Sequence, residues 1–183
     1  MNRKKILVVV LLLTLAVTVA AQTKLPSDSI APQRIQGYAD LAVNWMRQYL
    51  QLDTSNPPGN EMRAAAWFKK ILDEEGIENR VFEYAPGRGN VWARIPATGG
   101  EKKRPLILLS HEDVVTSDAS RWKFAPFSGA VAGGEMYGRG AQDMKSEGLA
   151  HLVVMVMLKR EKVALDRDVI FLATADEEVD DTG

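Results

Sequence analysis

Two apolar runs in this chain stop abruptly at ionisable residues. Pro105-Leu106-Ile107-Leu108-Leu109-Ser110 leads into His111-Glu112-Asp113, and Val169-Ile170-Phe171-Leu172-Ala173-Thr174-Ala175 leads into Asp176-Glu177-Glu178. Apolar runs of this length without polar alternation read as strands covered on both faces. Between them, residues 145–162 carry Leu149, Leu152, Val153, Val156 and Met157 at helical spacing. Strand, helix and strand in that order predict a layered α/β domain. Open α/β sheets place their sites at the carboxyl ends of strands, so both polar clusters are predicted to share one sheet edge.

The first half of the chain fits the same class. Leu41, Ala42, Trp45, Met46, Tyr49 and Leu50 predict an amphipathic helix over residues 35–52. Thr54-Ser55-Asn56-Pro57-Pro58-Gly59 is a turn, with Asn60 as the expected N-cap of a second helix that Gly76 stops. Residues 80–84 and 90–95 read as strands, the second turning Val91, Ala93 and Ile95 inward. Residues 129–137 predict a hairpin turning at Gly133-Gly134. The aromatics of residues 122–127 are expected to pack as core.

With 183 residues and a net charge of -1, the chain is long enough for one cored domain and offers no electrostatic footprint for nucleic acid. It contains no cysteine, which excludes disulfides, thiolate metal sites and a lipid-modified N-terminal cysteine. Arg3, Lys4 and Lys5 precede an apolar run over residues 6–19, and Val19-Ala20-Ala21 supplies small residues before Gln22. That pattern reads as a signal peptide over residues 1–21, with an uncleaved anchor as the alternative. The run is short for a membrane span, so no stable anchor is expected, and export to the periplasm or medium is. Residues 22–33 read as a linker and residues 34–183 as the folded part.

Three clusters carry the candidate chemistry. His111 and Asp113 stand two apart, on one side of an extended segment, where a carboxylate can fix the tautomer of a ligand histidine. The other reading is a polar strand end. Asp143 follows the Gly138-Arg139-Gly140 turn and precedes a helix, so it is either a metal ligand or a helix cap. Glu177 and Glu178 are adjacent and are expected to point in different directions, one to a metal and one to substrate and water. Alternatively they belong to a solvated acidic loop with Asp176, Asp180 and Asp181. A third reading is a calcium module built from the acidic loops; the missing Asp spacing and glycine of an EF-hand loop count against it. His151, on a helix, reads as structural.

Taken together, His111-Glu112-Asp113-Val114-Val115, Gly138-Arg139-Gly140-Ala141-Gln142-Asp143-Met144-Lys145 and Asp176-Glu177-Glu178 resemble the M20 family of zinc-dependent exopeptidases and amidohydrolases. The second string is most similar to the aminoacylase branch. The resemblance spans residues 35–183. It implies a layered α/β/α zinc-exopeptidase-like catalytic domain with a largely buried mixed sheet. It implies two zinc ions, with cobalt or manganese as substitutes, and gives His111, Asp143 and Glu178 as metal ligands, Asp143 bridging the pair. It makes Asp113 the partner of His111 and Glu177 the general base, and it implies a cis peptide bond between Asp143 and Met144. The implied substrate is a small peptide or an N-acyl amino acid.

Two departures qualify these expectations. Asp180 stands where the family commonly has glycine. The family also has a further carboxylate ligand, a histidine ligand and a small dimerisation domain beyond the position of Glu178. The chain is therefore expected to be the N-terminal portion of an exported hydrolase, incomplete at its C-terminus and a poor catalyst alone, the longer form allowing a homodimer. The alternative is a truncated, inactive relative.

Overall fold

The structure, a computed structural model, describes residues 30–99 and 103–179. The expected signal peptide, most of the expected linker, and Asp180 lie outside the described residues.

Helix α1, Pro32–Leu50, begins inside the expected linker, because Pro32 is suited to the first turn of a helix. It buries Tyr38, Trp45, Tyr49 and Leu50. A two-residue strand β1, Ser55–Asn56, leads to α2, Met62–Glu74. Asn60 is not its cap: the N-cap position is Glu61, in helical backbone and with no side-chain cap bond. Glu61 is turned inward instead, to Arg88. At the other end Gly76 adopts φ 61°, and Ile77 N–H donates to Leu72 O, closing α2 as expected.

Strands β2, Glu78–Ala85, and β3, Arg88–Ile95, form an antiparallel pair. Next come β4, Lys103–His111, and the short β5, Val114–Val115, which pairs in parallel with β1. The hairpin of β6, Ala130–Ala132, and β7, Glu135–Tyr137, turns at Gly133-Gly134 as expected. A wide turn over Ala141–Lys145 enters α3, Ser146–Arg160, and β8, Arg167–Thr174, closes the described fold. The main sheet runs β2-β3-β8-β4, with β3 antiparallel to β8 and β4 parallel to it. It is a mixed sheet, and α3 makes the crossover between its parallel strands.

One face of the sheet carries the core. Val91, Ala93, Ile95, Val169, Phe171 and Ala173 meet the buried sides of α1, α2 and α3 in a single cluster. Phe68 sits at its centre, with ring centroids 5.0 Å from Tyr49, 5.2 Å from Trp67 and 5.2 Å from Phe171. Such pairs add about 0.5–1.5 kcal/mol each beyond their area. Among the described residues only this face carries helices, so the layering seen is α/β and a second helical layer is not seen.

The burial expected for the two apolar runs is therefore corrected. β8 alternates buried and half-buried positions. β4 lies at the sheet edge with Leu106, Ile107 and Leu109 about half exposed. An apolar run reports tolerance of burial, whereas sheet order and the face the helices cover decide exposure, and neither is local information. The aromatics of residues 122–127 also fall outside the core. Trp122, Phe124 and Phe127 are half-buried, with Trp122 under the Arg139 guanidinium at 5.2 Å and Phe124 against Tyr137 at 4.9 Å.

Candidate metal centre

The parallel register pairs His111 with Thr174, which puts the ends of β4 and β8 side by side. His111 is buried there. Its Nδ1 lies 3.0 Å from the backbone oxygen of Asp113 and 3.4 Å from Asp113 Oδ1. A carbonyl oxygen only accepts, so Nδ1 carries a proton and Nε2 is the nitrogen turned toward the other side chains. Nε2 lies 3.1 Å from Asp143 Oδ1 and 3.7 Å from Glu177 Oε2.

Asp143 reaches this position from the turn before α3. Gly140, at φ 79°, makes the turn; a Cβ there would lie 2.4 Å from Val114 Cγ1. Asp143 and Met144 have non-helical backbone, and the bond between them is cis. The cap position of α3 is Lys145, so Asp143 does not cap the helix. Its carboxylate is 82% exposed, open to a ligand. Lys145 is buried, donating from Nζ to Tyr49 O and Leu52 O, and burial lowers its pKa to about 7.

Asp113 is fully buried. Its Oδ1 accepts from Glu177 N–H at 3.1 Å, and its Oδ2 from Glu178 N–H at 2.9 Å and Asn56 Nδ2 at 2.9 Å. Burial works to raise its pKa, but the bonds from His111, Asn56 and the two backbone N–H groups outweigh it and hold the carboxyl below its usual value. One carboxylate thus fixes both the histidine and the loop of the two glutamates.

Glu177 and Glu178 do not diverge as expected. They lie in a turn rather than a strand, and both reach the His111 side: a His111 nitrogen, an Asp143 oxygen and a Glu178 oxygen all lie within 4.8 Å of one another. Burial raises the pKa of Glu178; His111 opposes that, and Asp143, Asp113 and Glu177 add to it. For His111, burial lowers the pKa but Asp113 and Asp143 raise it to about 9. Carboxylates crowded at this spacing need positive charge among them. A protonated His111 supplies it, and so would a divalent cation; imidazole and carboxylate oxygen are the donor set that zinc accepts. The residues fit a metal.

Beyond the ligand group, several residues escaped sequence reasoning. Asp176 is buried rather than solvated, accepting from Asn56 Nδ2 at 2.8 Å, from Tyr84 Oη at 3.0 Å and from Arg88. Ala175 N–H donates to Asn90 Oδ1 at 2.6 Å. These partners are 85 to 120 residues apart in sequence, beyond the reach of any local pattern. His151 stays outside the site, 3.9 Å from Glu147 on its own helix. An open cleft of about 360 Å³ adjoins Asp143, lined by Trp122, Tyr137, Arg139 and Gln142 among others.

Comparison with known proteins agrees with this geometry. Residues 107–183 match the profile of Peptidase family M20/M25/M40. The chain is 34% identical over 132 residues to N-formyl-4-amino-5-aminomethyl-2-methylpyrimidine deformylase of Halalkalibacterium halodurans, covering 71% of this chain and 31% of that protein. It is 40% identical over 124 residues to succinyl-diaminopimelate desuccinylase of a Methylobacterium species, covering 63% and 30%. The M20 family metallo-carboxypeptidase of Sulfolobus solfataricus superposes with a TM-score of 0.64 at 28% identity, over 75% of this chain and 31% of that one. The chain thus spans under a third of the length of each of these relatives. With these motifs and this mixed sheet, residues 107–183 of the chain belong to peptidase family M20/M25/M40.

Proposed function

We propose that this chain carries part of the active centre of a zinc-dependent hydrolase that cleaves an amide bond in a small peptide or an N-acyl amino acid. The observation that carries the reading is the convergence of His111, Asp143 and Glu178 within 4.8 Å, with the Glu177 carboxylate beside them. The names of the relatives, a deformylase, a desuccinylase and a carboxypeptidase, support an acyl or peptide substrate.

In this reading His111, Asp143 and Glu178 would hold the metal. When bound, the metal supplies Lewis acidity toward water and the substrate carbonyl. Glu177, more exposed than its neighbours and 3.7 Å from His111, takes the proton from the attacking water as the new C–O bond forms. It then delivers that proton to the departing nitrogen as the C–N bond breaks. Asp113 keeps the His111 Nδ1 proton in place, leaving Nε2 as the donor atom. The cleft beside Asp143 receives the substrate.

Two isosteric variants separate these roles. Glu178→Gln removes a ligand and lowers zinc content. Glu177→Gln leaves zinc content near that of the unaltered protein, and lowers any hydrolysis of N-acyl amino acids or dipeptides by about 10²–10⁴. Equal zinc loss in both variants, or full activity in Glu177→Gln, refutes the assignment.

A further inference from the structure

The loop that carries Glu177 and Glu178 is held from behind by a group of side chains gathered on Asp176. Arg88, at the start of β3, places Nε 2.8 Å from Glu61 Oε2 and pairs through Nη2 with Asp176; its Nη1 donates to Pro58 O at 3.3 Å. The guanidinium lies so close over Gly59 that a Cβ there would be 2.4 Å from Arg88 Cζ. Asn56 gives one amide nitrogen to two carboxylates, Asp113 at 2.9 Å and Asp176 at 2.8 Å. Tyr84 donates to the second oxygen of Asp176 at 3.0 Å. Asp176 itself sits at φ 70°, a backbone region that few non-glycine residues adopt and that aspartate adopts more readily than most.

We propose that Asp176 is a positioning residue: clamped by Arg88, Asn56 and Tyr84, it sets the backbone from which Glu177 and Glu178 face His111 and Asp143. The inference rests on the metal-centre reading above. Its physical content is a choice between two roles for a buried ion pair. Such pairs contribute little net stability over apolar packing, but removing one partner leaves the other charge buried and uncompensated. Arg88 joins the turn before α2, the β2–β3 pair and the loop after β8, adding a side-chain tie at the loop itself to the β3–β8 pairing that ends at Ala173. The Glu177 and Glu178 N–H groups reach Asp113 only while that tie holds, and Asn56 links the two carboxylates directly.

The test begins with metal-free protein, so that it does not depend on activity. Hydrogen exchange is followed residue by residue in the full chain, in Asp176→Asn and in Asp168→Asn. Asp168 is the control: it accepts from Arg94 and from Ala97 N–H in the same sheet, away from the loop. In Asp176→Asn the Glu177 and Glu178 amides exchange about 10-fold faster or more, while α3 amides change less than about 2-fold. Zinc affinity of the same variant falls about 10- to 100-fold, the range for partners that orient ligands. If Asp168→Asn accelerates the loop amides equally, Asp176 is merely structural and the inference fails. If Glu178→Gln weakens zinc binding but Asp176→Asn does not, the inference fails and the metal-centre reading stands. If Glu178→Gln binds zinc as tightly as the unaltered chain, the metal-centre reading fails and the role of the clamp falls with it. Should Asp176→Asn not fold, Tyr84→Phe, which removes the hydroxyl bound to Asp176 from an exposed side chain, shows the same loop-confined acceleration on a smaller scale; its absence overturns the proposal.

Discussion

Replacing Asp113 by asparagine isolates the group on which the centre depends most. The substitution keeps size and shape but makes one of the two oxygens an amide donor. Oδ1 faces the Glu177 N–H, and Oδ2 faces the Glu178 N–H and Asn56. Whichever way the new amide turns, at least one donor meets a donor. Losing a hydrogen bond to a charged group costs about 1.5–3 kcal/mol, and those that remain fall to roughly half strength with a neutral acceptor. Against this, asparagine avoids the desolvation of a buried carboxylate. The lowered pKa of Asp113 decides the sign, because its hydrogen bonds already outweigh its burial. The net loss is then about 2–4 kcal/mol, equivalent to roughly 4–16 °C in Tm for a chain of this size. Urea unfolding at pH 7 in the presence of a chelator measures it without metal. A cycle with Asn56→Ala should give a coupling on the order of 1 kcal/mol. An Asp113→Asn protein as stable as the parent, or more stable, would refute the reasoning.

Two further predictions concern the frame. Phe68→Ala removes the fully buried ring at the centre of the helix–sheet core and should cost about 3–5 kcal/mol, read from urea midpoints; a loss under about 1 kcal/mol would show that the cluster is not packed as described. Tyr38 has its pKa raised by burial and then by its bond to Glu161, so its contribution to stability is present below the unfolded value of about 10 and is lost as pH rises through the folded one. The stability gap between parent and Tyr38→Phe should therefore narrow from pH 8 to pH 11, and an unchanged gap would contradict it.

Much of the frame was legible in the sequence, and the reasons are local. The β4 and β8 runs, the hairpin at Gly133-Gly134 and the α3 stripe each follow from periodicity or turn chemistry within about ten residues. The candidate ligands were legible because each sits at the end of such an element. What escaped depends on sheet order and distant partners. The apolar run of β4 gives no sign that it forms an edge. Asp176 looked like one more solvated acid, yet Arg88, Tyr84 and Asn56 bury it from 88, 92 and 120 residues away. Glu61 reads as an ordinary first-turn glutamate until β3 brings Arg88 against it.

The claim that His111, Asp143 and Glu178 form a metal centre is tested most directly by locating the metal. Crystals of the protein grown with zinc and measured across the zinc absorption edge would give an anomalous difference map. The account predicts a peak in contact with His111 Nε2, an Asp143 carboxylate oxygen and a Glu178 carboxylate oxygen, at bond lengths of about 2.0–2.2 Å. A peak bound elsewhere, or none near these atoms at saturating zinc, would contradict it.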